Sequence, residues 1–422
     1  MSETHTEPSR VGWLLALFKA EYLLGLCVAL LLWGDLGEFI RLPQRWPQHG
    51  SATFASHFAG WDAGYYLILS ESGYRAGDSA CAFYPLWPLL IRWFSPVMGG
   101  SCLISGLFLA NVFSLAGGCV FFRIVSQRLG PVAARWSLVF LLAFPGALFF
   151  QFVYSEALFF LLLMLLWLGL EQDRQGLACL AALLLPFSRG VGVFAVLPIG
   201  WHVLRPAEPW FRTAVEQGFR WLRTDWVPAR LRSWLPCSPE DGTAVAVQAH
   251  RTFPLAAMPG RAWLLAAPLA GWGGYLVLMG WWTGNPFEGF EAQRYWGVHS
   301  IGNLWNLPKF VAGFFNPTEW HAFAGSFLDR CVFLLVLGTI PIIWRLGKDL
   351  FMWTVALAIM PAMSGTFTSF TRFAACAFPV FIALGVVLGR PERRWPRYSL
   401  LGLFVVLHIV LVWRYVNCRW AG

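Results

Sequence analysis

Long apolar segments recur along this chain, and they limit what it can fold into more than any other feature. Several reach the roughly 20 residues that a helix needs to cross a bilayer. Only 13% of the 422 residues are charged, about half the share of roughly 25% that is typical of soluble domains. The pattern predicts an all-α polytopic membrane protein with spans near 11–33, 102–123, 134–152, 155–170, 176–204, 262–282, 327–345, 349–364, 374–389 and 399–415.

The segment 176–204 allows two interpretations, one long helix or two short helices hinged between Pro186 and Gly192. Proline breaks the hydrogen-bond ladder of a helix and glycine weakens it. With a hinge, fourteen Lys and Arg residues fall on one side of the membrane in the later loops, and five fall on the other. Because basic residues gather in cytoplasmic loops, we expect the hinge, about eleven spans and a cytoplasmic N-terminus. The first segment, 11–33, is too long for a signal-peptide core and should remain as a span.

This topology divides the chain into three parts. We expect an N-terminal membrane module at 1–204, with a first outer loop at 34–101. A cytoplasmic insert rich in Arg and Trp follows at 205–261, and C-terminal membrane helices occupy 262–422, with an outer loop at 283–326. The formal charge of +9 then reflects cytoplasmic loops, and no nucleic-acid partner is expected.

The first outer loop is unusually polar and aromatic for a chain of this kind. Four of its apolar residues recur at helical spacing: Trp61, Tyr65, Ile68 and Leu69. Asp62 and Tyr66 lie on the adjoining face, and the segment 83–94 adds a second aromatic piece broken by prolines. We expect two amphipathic helices in the outer interface. Asp62 either interacts with the dipole of its helix or acts as a catalytic base.

Other isolated polar residues fall on the same outer face. An arginine at membrane depth costs about 2.5–3.5 kcal/mol, so Arg189 and Arg372 should face a cavity or a partner, unless they snorkel to the headgroups. Glu156 begins a span, where its negative charge can interact favourably with the helix dipole or shape a ligand site. Glu71 either assists Asp62 or is solvated.

The nine cysteines show no metal-ligand spacing. Cys81 and Cys102 lie near the same outer loop, where they can form a disulfide or remain two unrelated thiols. No acidic cluster has the pattern of a metal site, so neither a metal nor another cofactor is expected.

Several motifs together resemble one family, the GPI mannosyltransferase II (PIG-V) family and its bacterial relatives. They occur in the family's order and cover most of the chain outside 205–261: Trp61-Asp62-Ala63-Gly64-Tyr65-Tyr66-Leu67, Ser72-Gly73-Tyr74, Phe83-Tyr84-Pro85-Leu86-Trp87-Pro88, Tyr154-Ser155-Glu156, Ser188-Arg189-Gly190-Val191-Gly192, Gly284-Asn285-Pro286-Phe287 with Gln293 and Trp296, and Arg372-Phe373 with Phe378-Pro379. The chain has Ser188 before Arg189 where Thr is usual, and Tyr84 within the family's Phe-Phe-Pro motif. Neither difference removes an ionisable group from the motifs.

The resemblance implies a GT-C type glycosyltransferase and, within that class, a mannosyltransferase. Such an enzyme takes a sugar from a polyprenyl (or dolichyl) phosphate on the outer face and passes it to a glycan, lipid or protein acceptor. Relatives carry the catalytic aspartate in the Trp-Asp motif, which implies Asp62. In an inverting transfer that carboxylate removes the proton of the acceptor hydroxyl, while cations stabilise the departing phosphate; Arg189 and Arg372 are the candidates.

The remaining polar and aromatic residues of these motifs are candidates for the donor or acceptor site. They are Trp61, Tyr65, Tyr66, Glu71, Tyr154, Glu156, Gln293 and Trp296. His299, on the same outer loop, is interpreted as a surface histidine. The expected location is a bacterial inner membrane, with membrane lipids around the spans and the active site on the periplasmic face.

A transporter or flippase for a lipid-linked sugar is the alternative, since it would also need aromatic and cationic residues in a cavity. Transporters often carry broken helices at corresponding positions of two repeats. This chain has one hinge, near Arg189, and no matching hinge in its second half. A purely structural membrane protein would leave the polar residues of the outer face unexplained.

Overall fold

The computed structural model describes residues 6–204, 259–296, 315, 327–363, 367 and 369–421. Most of the predicted cytoplasmic insert and most of the predicted outer loop at 283–326, including His299, lie outside these residues. Throughout the described ranges the regular structure is helical, without a strand. The main helices are α1 (Thr6–Trp33), α2 (Asp62–Ser72), α3 (Leu86–Phe94), α4 (Cys102–Leu129), α5 (Pro131–Ala143), α6 (Glu156–Glu171), α7 (Gln175–Ser188), α8 (Val196–Leu204), α9 (Ala266–Thr283), α10 (Glu288–Ala292), α11 (Phe327–Leu346), α12 (Lys348–Thr354), α13 (Phe370–Ala374), α14 (Phe378–Leu388) and α15 (Arg394–Val416).

All of the predicted apolar segments contain helix, which confirms the all-α class for the described chain. Among the described residues, five helical stretches are long and apolar enough to cross a membrane: Arg10–Trp33, Cys102–Leu129, Trp263–Thr283, Phe327–Leu346 and Pro391–Val416. Other apolar helices, such as α5, α7 and α14, are shorter than 18 residues. The count of about eleven spans stays a prediction, and so does the GT-C-like arrangement.

Local sequence signals set the ends of these helices. The hydroxyl of Ser101 accepts a hydrogen bond from the backbone N–H of Ile104 and so caps α4, as N-cap serines commonly do. Gly130, with φ of 89°, ends α4, and Pro131 then occupies the first position of α5. A proline is well tolerated there because the first N–H groups of a helix have no intrahelical partner. The 28-residue α4 and the 13-residue α5 are thereby joined by one residue.

The chain reverses direction at the predicted hinge. The helix α7 ends at Ser188, Arg189 is extended (φ −158°, ψ 139°), and a 3-10 helix leads into α8. A Cβ at Gly271 of α9 would overlap the Leu183 carbonyl of α7, whereas Gly200 of α8 lies beside Leu265, just before α9. The helix α9 therefore runs alongside α7, and α8 returns toward the start of α9. This confirms two short helices instead of one long helix.

Ion pairs mark the end of the bundle at which α4 and α6 finish. Arg128 lies at the end of α4 and contacts Asp349 at 2.8 Å and Glu171 at 3.0 Å. Arg261 contacts Asp173 at 2.9 Å. At the opposite end of α6 lies Glu156, its first residue. The predicted outer segments meet at that opposite end.

The two helices of the first loop are present, but α2 differs from the expected interfacial helix. Every residue from Asp62 to Ser70 is buried, so both faces of α2 are covered. The face that carries Asp62 and Tyr66 points toward other polar side chains instead of water. The helix α3 is amphipathic as expected, with Trp87 and Ile91 buried and Trp93 exposed.

Candidate active site

Asp62 is held at the first position of α2 by the residues before it. Trp61 has φ of 55°, a backbone conformation that few residues other than glycine adopt. Its ring packs edge-on against Trp420, with ring centres 4.8 Å apart. The Tyr415 hydroxyl lies 3.3 Å from the carbonyl oxygens of Phe58 and Gly60, to which it donates. The C-terminal helix α15 therefore fixes the turn that presents Asp62.

Four charged side chains from distant segments meet in one place, and we call them the charged cluster: Asp62, Glu156, Arg189 and Arg372. Arg372 donates from Nη1 to Asp62 Oδ2, and its Nε lies 3.0 Å from Glu156 Oε1. Arg189 donates from Nη1 to the same Glu156 oxygen. Glu156 thus bridges both arginines, and Arg372 bridges both carboxylates.

The members of the charged cluster are buried to different degrees. The Glu156 side chain is 1% exposed, whereas 11% of the Asp62 side chain and 12% of the Arg372 side chain remain exposed. Buried charges are tolerated when they are paired, and two carboxylates here face two guanidinium groups. Glu156 is the most buried member of the cluster, and Asp62, Arg189 and Arg372 are each slightly exposed to solvent.

Two buried polar atoms of the charged cluster lack a hydrogen bond to the described residues: Glu156 Oε2 and Arg372 Nε. The Nε atom still contacts Glu156 Oε1 at 3.0 Å, so that contact is an ion pair without hydrogen-bond geometry. Buried polar groups nearly always have partners. The unpaired oxygen of Glu156 can accept a hydrogen bond from a bound hydroxyl group.

The neighbouring carboxylates keep the guanidinium of Arg372 protonated. Burial by itself would lower the pKa of its guanidinium, but the negative charges of Asp62 and Glu156 raise the pKa above the ordinary arginine value. Arg372 is therefore a permanent cation at the edge of the charged cluster.

Aromatic rings surround both arginines. The guanidinium carbon of Arg372 lies 5.5 Å from the ring centre of Tyr154 and 5.6 Å from that of Phe149. Arg189 lies 4.6 Å from the ring centre of Phe373. Cations over aromatic faces at such distances are attracted by the ring quadrupole. The rings also restrict the positions that each guanidinium can take.

Tyr66 and Tyr65 occupy different surroundings on α2. The Tyr66 hydroxyl donates to Ser155 Oγ at 2.9 Å, and Arg189 Nη1 lies 3.4 Å from the same oxygen. Tyr65 stacks on Phe83, with ring centres 4.9 Å apart. Tyr66 is therefore linked to the charged cluster through Ser155, and Tyr65 joins α2 to the second aromatic piece of the loop.

The structure places the other predicted residues farther away. Glu71 is exposed and accepts a hydrogen bond from Trp46 Nε1 at 2.9 Å. It lies nine residues after Asp62 on α2, about 14 Å along the helix axis. Gln293 donates from Nε2 to the Ala82 carbonyl at 3.1 Å and ties the later outer loop to the first loop. Trp296 ends a short 3-10 helix, and its side chain is outside the described part.

Two residues that support the site were not singled out by sequence. Asp329, which is 1% exposed, accepts hydrogen bonds at 2.7 Å from both the backbone N–H and the hydroxyl of Thr371. Lys19 donates to Gln151 Oε1 at 2.8 Å, in the turn that precedes α6. The available signal was the same for both, since each is a charged residue inside a predicted apolar segment. Such residues usually mark a buried partner or a functional region.

Cys81 and Cys102 are separate thiols, so the possible disulfide is absent. The Cys81 thiol instead donates to the Arg75 carbonyl at 3.1 Å. Across the described ranges, no three His, Cys, Asp or Glu side chains are grouped in a way that could hold a metal ion.

Comparison with known protein families gives one match. A family model described as mannosyltransferase (PIG-V) matches residues 46–220. The matched range contains three members of the charged cluster, Asp62, Glu156 and Arg189, and ends before Arg372. Neither the curated proteins nor the solved structures that were searched contain a match to this chain.

Proposed function

We propose, from a match that supports assignment to the PIG-V mannosyltransferase family, that this chain transfers mannose from a polyprenyl-phosphate donor to a membrane-associated acceptor. The family match suggests a glycosyltransferase that moves a mannosyl group. The donor, the inverting mechanism and the catalytic residues are our inference. The observation that carries it is the charged cluster, in which the aspartate of the Trp-Asp motif pairs with Arg372, and Glu156 connects Arg372 to Arg189.

The chemistry requires a base for the attacking hydroxyl and positive charge for the departing phosphate. Glycosyl transfer passes through an oxocarbenium-like state, and in an inverting reaction a carboxylate takes the proton of the attacking hydroxyl. Asp62 is the more exposed carboxylate of the cluster, and an acceptor hydroxyl can reach it. The phosphate is already a good leaving group, so the site needs positive charge more than an acid.

Arg189 and Arg372 supply that charge. Their described hydrogen bonds all use Nη1, so neither Nη2 group donates to another described residue. A guanidinium can donate two parallel hydrogen bonds to a phosphate. We assign donor phosphate binding to the free edges of the two arginines, while Glu156 holds their other edges in place.

Glu156 then has two roles. Its Oε1 atom positions both arginines, and its unpaired Oε2 atom is available to a hydroxyl of the donor sugar. Tyr66, Tyr154 and Trp61 complete the walls of the proposed donor site. Glu71 is too distant along α2 to share a proton with Asp62, so we place it outside the chemistry.

We place the reaction on the outer side of a membrane, in bacteria the periplasmic face of the inner membrane. The support is the charge distribution of the loops, because the basic-rich loops belong in the cytoplasm. The charged cluster lies at the end of α6 away from the ion pairs of Arg128 and Arg261. The 205–261 insert is then cytoplasmic.

The experiment uses the purified full-length chain in lipid vesicles. Labelled polyprenyl-phosphate-mannose is supplied together with a membrane lipid extract that contains candidate acceptors. We expect the label to move into an acceptor fraction with the unaltered protein and with Glu71→Gln, but not with Asp62→Asn. Transfer from a nucleotide-sugar donor alone would overturn the polyprenyl-phosphate assignment. Movement of the labelled donor across the bilayer without transfer would instead favour the transporter.

A further inference from the structure

A second feature lies away from the charged cluster, on the outside of the bundle. A groove of about 820 Å³ runs between α1, α5 and α15. Apolar side chains form most of its wall, among them Leu14, Phe18, Leu138, Leu142, Val405 and Ile409. Leu14 is 58% exposed and Ile409 is 61% exposed, so the groove opens to the surroundings of the bundle. Two of its helices belong to stretches able to cross a membrane, and a groove between them faces lipid tails.

The two ends of the groove differ in chemistry. Arg10 and Arg135 line one end, near the starts of α1 and α5. At the other end the Tyr22 hydroxyl and His408 Nε2 are 3.1 Å apart, and His408 Nδ1 lies 3.0 Å from the Phe144 carbonyl. Arg10 precedes Tyr22 by twelve residues, about 18 Å along the helix. One leaflet of a bilayer core is about 15 Å deep, so the groove matches the length of one leaflet.

The arginine end carries uncompensated positive charge among the described residues. Arg10 and Arg135 are both exposed, and neither forms an ion pair with a described side chain. Basic side chains at the membrane surface attract anionic headgroups, and guanidinium groups donate strongly to phosphate oxygens. Apolar walls of one-leaflet depth and two cations at the headgroup level are complementary to a phospholipid with a negative headgroup.

We propose that this groove is a binding site for an anionic phospholipid, with an acyl chain along α1, α5 and α15 and the phosphate between Arg10 and Arg135. This site is separate from the charged cluster. Near the first end of α1, Gly12 lies beside Cys119, toward the end of α4. Beyond the other end of α1, Gly34 lies beside His57, just before α2. The lipid therefore belongs to the leaflet opposite the charged cluster. It packs α1 against the rest of the bundle and stabilises the folded state, as any ligand of that state does.

The test needs no enzymatic assay, so it does not depend on the proposed function. Delipidated full-length protein in detergent is titrated with phosphatidylglycerol and, separately, with phosphatidylcholine of the same acyl chains. Bound lipid is counted by native mass spectrometry, and the thermal midpoint is recorded. We expect phosphatidylglycerol to bind more tightly and to raise the midpoint more.

The double variant Arg10→Gln and Arg135→Gln should lose that preference by about 30-fold in relative affinity. Arg41→Gln is the matched control, because Arg41 is an exposed arginine outside the groove, and it should keep the preference. Replacing Leu142 with Trp, which fills the groove, should reduce binding of both lipids. Equal binding of the two lipids to the unaltered protein would overturn the proposal. Competition by a polyprenyl phosphate at equal affinity would also overturn it, because the groove would then belong to the donor.

Discussion

Replacing Asp62 with Asn tests the proposed base, because the substitution keeps the size of the side chain and removes its charge. Asp62 faces Arg372, which also lies 3.0 Å from Glu156. Arg372 therefore keeps one carboxylate partner after the substitution. The change removes the proton acceptor while leaving the rest of the charged cluster paired.

The rate effect follows from the role of a general base. Such a base typically contributes about 10²–10⁴-fold to the rate, or about 2.7–5.5 kcal/mol of barrier at roughly 1.36 kcal/mol per tenfold change. We expect the turnover of Asp62→Asn to fall by at least 100-fold. The free energy of unfolding should change by less than about 3–5 kcal/mol. That is the cost of breaking a buried ion pair when the remaining charge is left without any partner.

Donor affinity separates a base from a structural residue. The formal charge of the four-residue cluster is balanced in the native chain and becomes positive in Asp62→Asn. The affinity for a phosphate should therefore stay constant or increase, because one fewer carboxylate balances the positive charge of Arg372. A residue that only positions Arg372 would instead lower donor affinity and turnover together.

The assay measures single-turnover transfer, the dissociation constant of the lipid-phosphate donor and the thermal midpoint for each variant. Glu71→Gln, on the same helix but exposed, is the control and should behave like the native chain. Near-normal turnover in Asp62→Asn would refute the assignment of the base. A large loss in Glu71→Gln would refute the geometric argument that excludes it.

Four further outcomes are expected. Glu156→Gln should lower the free energy of unfolding by about 3–5 kcal/mol, because it leaves a buried guanidinium without a carboxylate; a denaturant titration that shows no loss would contradict the bridging role. Arg189→Ala should weaken donor binding by about 1.5–3 kcal/mol, with only partial rescue by Lys, which lacks the planar fork; an unchanged dissociation constant would leave it a structural residue. Gly192→Ala should lower the thermal midpoint because its Cβ would overlap a backbone carbonyl of α7, whereas Gly176→Ala, with no atom within 4 Å of the new Cβ, should not; equal midpoints would argue against the folded-back hinge. Cysteines placed in 210–250 should react with a membrane-impermeant probe only from the cytoplasm, and labelling from outside would invert the proposed topology.

The sequence was sufficient for those features that depend on short stretches of chain. Apolar segments of span length lead to helices because a backbone in a lipid environment must satisfy its own hydrogen bonds. Pro186 and the neighbouring glycines favoured a break near Arg189 through local backbone preferences, and the charge of the loops decided for it. In the structure α7 continues through Pro186 and ends at Ser188. The Trp-Asp motif indicated a resemblance to the PIG-V family for the same reason, because its residues are adjacent along the chain, and a PIG-V family model matches residues 46–220.

The sequence could not decide how the charged residues pair. Asp62 and Arg372 are 310 positions apart, and Glu156 and Arg189 are 33 apart. Such contacts arise only when α2, α6, the hinge and α13 pack together, and no local periodicity encodes that packing. The same packing buries α2 from Asp62 to Ser70, on both of its faces, where the 3.6-residue pattern predicted one exposed face.

Distance along a helix also bears on Glu71, for which the sequence left two roles open, assisting Asp62 or being solvated. Asp62 and Glu71 are both acidic residues of one motif region, but they lie at opposite ends of α2, and only Asp62 contacts another member of the charged cluster. The chemistry of each side chain is therefore set by its residue type, which the sequence supplies. Its charged partner and its depth from solvent are set by the tertiary structure, because burial and ion pairing depend on helices that are distant in the chain.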